Sequence, residues 1–153
     1  MSGAFPISTA KFGTLGIKSI QNTIISKSVS GKRLVRQIDN QRWAFSVQII
    51  TGKRSDVYGE LMAFIVKQRG QKETFTIIPP ELEDARGNEA GTVLIDGVHA
   101  VGDTTILMNG FGADGAGRFK AGDFLKFASH SKVYMVVADV TSSSNAATVT
   151  IEP

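Results

Sequence analysis

The sequence predicts a mainly β protein with one principal α-helix, an α+β chain whose second half is a sandwich- or barrel-like module. Three observations carry this prediction. Over Gln41 to Thr51 the side chains alternate strictly, with Trp43, Phe45, Val47 and Ile49 on one face and Arg42, Ala44, Ser46 and Gln48 on the other, the period of a half-buried strand. The period changes to that of a helix once, over Ser55 to Arg69. From residue 91 onward, short apolar runs recur about every ten residues between Gly-, Asn- and Asp-containing turns, the pattern of a small all-β module.

The elements follow in order. Residues 1–30 are rich in Ser, Thr, Ile and Gly and alternate weakly, as in Thr23-Ile24-Ile25-Ser26, so they read as an extended arm or short edge strands. Ser30-Gly31-Lys32 is a turn signal. Lys32 to Ile38 is the next strand, and Asp39-Asn40 is the hairpin turn expected between it and the strand beginning at Gln41. In the helical segment, Val57, Tyr58, Leu61, Met62, Phe64 and Ile65 fall on one face, at the spacing of an amphipathic helix. Ser55 is its expected N-cap, Asp56 and Glu60 suit its positive end, Lys67 and Arg69 its negative end, and Gly70 its stop. Glu73 to Ile78 reads as a strand ended by Pro79-Pro80. The later strands are Gly91 to Ile95, Thr104 to Met108, Asp123 to Phe127, Lys132 to Val140 and Ala146 to Ile151, with turns at Asp96-Gly97, Asn109-Gly110 and Ser144-Asn145. Three parts result: a hairpin-helix-strand module over 1–80, a polar connector over 81–90, and an all-β module over 91–153. The expected core of the first module is Trp43, Phe45, Val47, Leu61, Phe64 and Ile65.

Composition excludes several classes. The chain has 153 residues, 42% apolar and 20% charged, too apolar and too weakly charged for intrinsic disorder. No run reaches the roughly 18 apolar residues of a membrane span, and the first residues lack a basic segment followed by an apolar stretch, so no signal peptide is expected. With no cysteine there is no disulfide framework, thiolate metal site or cysteine nucleophile. The net charge of +3 conceals an asymmetry: residues 1–54 hold nine Lys or Arg against one acid, and residues 55–153 hold eight against thirteen. Such a division suits nucleic-acid binding by the basic half, or the meeting of basic and acidic faces of two copies.

Prepared chemistry is absent from the sequence. His99 and His130 belong to no metal or relay spacing. Neither Ser8 nor the run Ser142-Ser143-Ser144 sits in a nucleophile elbow. The stretch Gly110 to Gly117 lacks the Lys-Ser/Thr ending of a phosphate loop and the carboxylates of a calcium loop, so it reads as a long flexible β-turn. Glu81, Glu83 and Asp84 lie in the polar connector, where nothing raises a carboxyl pKa. No enzyme activity, cofactor or metal is expected. For nucleic acid, Lys32, Arg33, Arg36 and Arg42 interleave with Trp43 and Phe45, yet the pleat puts the two aromatics on the face to be buried and the arginines elsewhere. A carbohydrate- or host-surface-binding module over 91–153 would use Phe111 or Tyr134, with residues 110–117 as its rim.

Gly31-Lys32-Arg33-Leu34-Val35-Arg36-Gln37-Ile38, then Gln41-Arg42-Trp43-Ala44-Phe45-Ser46-Val47, then Phe64 to Gln71 and Glu73-Thr74-Phe75-Thr76-Ile77 resemble the small minor tail and baseplate proteins at the tail tip of tailed bacteriophages. In that pattern a G-x-x-x-R hairpin and an aromatic strand precede a helix and a short F-x-F strand. Lys120 to Phe127 and Lys132 to Val137 resemble the K-A-G-D β-module of phage virion proteins. The resemblance implies a non-enzymatic virion subunit, made in the host bacterial cytoplasm. It implies a trimeric or hexameric ring at the tail tip or baseplate, contacting its own copies and neighbouring tail proteins, with no membrane partner. Arg33, Arg36 and Arg42 are the candidate subunit contacts.

Overall fold

The computed structural model describes residues 3–6, 11–50 and 53–153. The chain divides into two compact units, residues 1–83 and 84–153; Ser8 and Thr51, and the side chains of Asp56 and Val57, lie outside the described residues.

The first unit is built on one long hairpin. Strand β1 (Lys11–Lys27) pairs antiparallel with β2 (Arg33–Ile50) from Lys11↔Ile50 to Lys27↔Arg33. The weakly alternating arm is therefore a full strand, and the chain reverses at Ser28 to Lys32 rather than at Asp39-Asn40. The reason is local. Gly31 takes φ +82°, which a side chain resists, the Ser28 N–H donates to the Lys32 carbonyl at 3.0 Å, and the Ser28 hydroxyl accepts the Lys32 N–H at 3.2 Å. Asp39-Asn40 falls instead in a bulge, where β1 advances from Ile20 to Asn22 while β2 passes from Arg42 to Ile38.

Cross-strand pairing places Phe12, Leu15, Ile17, Trp43, Phe45, Val47 and Ile49 on one face of the inner hairpin. Trp43 and Val47 are half-buried, and Phe45 is 43% exposed. A π-helical turn, Arg54–Tyr58, leads into helix α1 (Gly59–Lys67). Ser55 therefore sits inside that turn and caps nothing; Tyr58 holds the N-cap position without a side-chain bond. At the other end Arg69 (φ 53°) and Gly70 (φ 74°) turn the chain out of the helix. Helix α1 buries Leu61 and half-buries Phe64, whereas Ile65 is 49% exposed. Phe64 packs edge-on against Phe5 and Phe75 at 5.4 and 5.3 Å. The expected strand over 73–78 is a single bridge, Thr76 to Ala4, because Pro79-Pro80 follows at once and cannot extend a ladder. The first core is thus an aromatic cluster at the hairpin base, smaller than the alternation implies.

The second unit holds a larger core. Strands β3 (Leu94–Ile95), β4 (Thr105–Asn109), β6 (Phe124–Lys126), β7 (Val133–Val136) and β9 (Ala146–Glu152) make an antiparallel sheet in the order β3-β4-β9-β7-β6, and β5 (Gly115–Ala116) pairs with β8 (Thr141–Ser142). Alternation directs Ile106 and Met108 of β4, Val136 of β7, and Ala147, Val149 and Ile151 of β9 inward. Phe111, Phe119 and Val140 complete the cluster. The sheets curl into a half-barrel. With one α-helix and many strands among the described residues, the chain is the mainly β, α+β protein its periodicity predicts.

Candidate functional site

Two features stand out, one in each unit. The first is the outer part of the hairpin. Every described side chain from Gln21 to Ile38 is exposed, including Ile24 (54%), Ile25 (61%), Leu34 (63%) and Val35 (64%). Residues 22–38 carry Lys27, Lys32, Arg33 and Arg36 and no acid. Pairing sets the faces. Leu34, Arg36, Ile38 and Ile24 share one, and Arg33, Val35 and Ile25 the other. Lys27 stands directly opposite Arg33, a like-charge pair that costs stability. Arg42, also exposed, lies opposite Ile20 on the far side of the bulge. Structure thus spreads the three candidate arginines over one ribbon, and among the described residues none of them forms an ion pair.

The second feature is a set of three carboxylates in the C-terminal unit, each accepting backbone N–H groups. Asp123, 4% exposed, accepts the N–H groups of Arg86 at 2.6 Å, Gly87 at 3.1 Å and Lys120 at 2.8 Å. Asp114 accepts the N–H groups of Ser144 and Asn145, each at 2.9 Å, the two central residues of a turn in which both have positive φ. Residues 110–117, read as a flexible turn, are held by these bonds, by the Ser142 hydroxyl donating to the Ala113 carbonyl, and by the pairing of β5 with β8.

Glu89, missed by sequence reasoning, is held from both of its oxygens. Its side chain is 3% exposed and its Oε2 lies 3.8 Å from the Arg118 guanidinium. Oε1 accepts the N–H groups of Gly91 at 2.6 Å and Gly112 at 2.9 Å. Gly91 lies two residues on, a local signal; Gly112 is 23 residues away and no spacing announces it. The Gly112 N–H bond chiefly, with those of Gly91 and Ala90 and the Arg118 charge, lowers the Glu89 carboxyl below 4.5 against the opposing cost of burial. A carboxyl lowered on folding stabilises the native state above its unfolded pKa, and that contribution disappears as pH falls through the native value. Glu89→Gln cannot carry the charge. Urea unfolding of the C-terminal unit should therefore lose less stability between about pH 5 and pH 3 in the variant than in the parent chain; equal losses would deny Glu89 this role.

The expected platform residues fare differently. Phe111 is buried in the core at 5.6 Å from Phe119, so it offers no open face. Tyr134 is half-buried against Phe127 and His130. His99 Nε2 lies 3.1 Å from the Asp96 carbonyl and Nδ1 3.9 Å from Asp103. Among the described residues no group of three or more His, Cys, Asp or Glu could hold a metal ion, and no helix is long and apolar enough to cross a membrane.

Residues 82–153, just under half of the chain, match the family model described as distal tail protein pb9, B domain. The match supports the resemblance to structural proteins of the phage tail tip and baseplate, and with it a structural role in the phage tail, in the virion and in association with other tail proteins. No curated protein matches the chain.

Proposed function

We propose that the chain is a non-enzymatic building block of the tail tip or baseplate which joins copies of itself into a trimeric or hexameric ring through the β1–β2 hairpin. The observation that carries this reading is the bare outer ribbon. A two-stranded hairpin alone in water is marginally stable. This one exposes apolar side chains on both faces and an open backbone edge on each side. Open edges recruit further strands, and a closed ring removes them. The cations at Arg33, Arg36 and Arg42 supply register, because complementary potentials fix how subunits meet.

Light scattering on the purified, nucleic-acid-free protein tests the reading at low and high salt. A discrete trimer or hexamer is expected. The double variant Arg36→Glu/Arg42→Glu should retain the circular dichroism of the parent, since both side chains are exposed, yet run as a monomer. An assembly of parental mass in the variant would remove the arginines from the interface. A parent chain that stays monomeric and is missing from tail particles would remove the reading itself.

A further inference from the structure

Strands β3 and β6 stand at opposite ends of the order β3-β4-β9-β7-β6, so each has one hydrogen-bonded neighbour in that sheet. Residues of both nevertheless line a single cleft of about 730 Å³. The sheet curls round far enough to bring its two ends to the same cavity and stops before closing. Closure would need further strands across that gap. The walls are mainly apolar, from Val93, Ile95, Met108, Leu125 and Phe127, and Glu89 is among the lining residues. Glu89 Oε2 is buried, accepts no hydrogen bond and lies 3.8 Å from the Arg118 guanidinium, so the carboxylate at this apolar cleft is already held by a cation of its own unit.

We propose that the cleft receives the outer β1–β2 hairpin of a second copy, with the face bearing Ile24, Leu34, Arg36 and Ile38 turned inward. This rests on the self-assembly reading and names the surface that the hairpin meets. Three observations select this occupant. A ribbon with an open edge on each side matches a gap with an open edge on each side, and strand addition satisfies both sets of backbone groups. Ile24, Leu34 and Ile38 place three exposed apolar side chains on one face, the complement of a mainly apolar cleft. Charge agrees: residues 1–83 carry six more cations than acids, and residues 84–153 three more acids than cations. Such a contact is head-to-tail, and repetition closes it into a ring when the rotation permits.

The absence of cysteine from the chain makes the test clean. Leu34→Cys and Ser129→Cys, at an exposed hairpin position and on the exposed cleft rim, are prepared as separate full-length proteins, mixed, and treated with a short bismaleimide. The expected product is a two-chain species whose mass spectrum shows residue 34 joined to residue 129. Adding Arg36→Glu to the Leu34→Cys protein should lower its yield at least tenfold. A protein that assembles by light scattering but yields only 34–34 or 129–129 products, or none, overturns the cleft contact and leaves self-assembly standing. A monomer without any linked product overturns both, and incorporation into tail particles is scored separately.

Discussion

Phe111→Ala should destabilise the C-terminal unit by about 3–5 kcal/mol, the cost of deleting a buried large aromatic. The ring is 4% exposed and packs at 5.6 Å from Phe119 within the cluster that includes Met108, Val140 and Val149. Its position in a glycine-rich run gives no hint of this. Gly110, at φ +86°, turns the chain so that the phenylalanine enters the half-barrel; a Cβ there would also lie 2.6 Å from the Thr92 carbonyl oxygen. Chemical unfolding followed by NMR methyl signals of residues 84–153 would measure the loss. Tryptophan fluorescence would not, because Trp43 belongs to the other unit. A loss below about 1 kcal/mol would put the ring at the surface and restore Phe111 as a platform for a sugar.

A loss of similar size is expected from Asp123→Ala. The substitution leaves three backbone N–H groups, of Arg86, Gly87 and Lys120, without their acceptor. Hydrogen bonds to a charged group contribute about 1.5–3 kcal/mol each, and a buried donor left unmade costs about 1–3 kcal/mol. Water reaching the opened site recovers part of this, so about 3–5 kcal/mol is the expected total. Asp123→Asn retains one acceptor oxygen and should fall between the two. Hydrogen exchange gives the second readout: the Arg86 and Gly87 amides should lose protection first. An alanine variant as stable as the parent would show that residues 84–88 are held by something other than this carboxylate.

The fold class was legible because alternation and helical spacing are local. Val149 and Ile151 of β9, or Ile106 and Met108 of β4, announce their burial by position alone. What misled was equally local. Trp43 and Phe45 have the alternation of core residues, but whether a strand face is covered depends on what packs against it. Here helix α1 and Phe5 gather at the hairpin base, while Phe45 stays 43% exposed. The Asp39-Asn40 pair has turn chemistry, yet the chain has already reversed at Ser28 to Lys32, where Gly31 takes φ +82°, and the pair is carried within the second strand at a bulge. Arg33, Arg36 and Arg42 could be found as a basic cluster. Glu89, Asp114 and Asp123 could not, because, Gly91 and Lys120 apart, their partners lie 23 to 37 residues away and become neighbours only when the half-barrel forms.

The sheet order carries a consequence for how the chain is made. Strand β9 lies between β4 and β7, so the ladder of the C-terminal unit lacks its middle member until residues 146–152 have been synthesised. Pairing Thr105 with Thr150 also closes a long loop, and such non-local contacts fold slowly. The β1–β2 hairpin joins neighbours in sequence, so its strands can pair early, although the ribbon is marginally stable alone until Phe64 and Phe75 complete the aromatic cluster at its base. For that interval an apolar ribbon is displayed in a crowded cell. Its four positive charges over residues 22–38 oppose contact with the same ribbon on other nascent chains, because like charges repel.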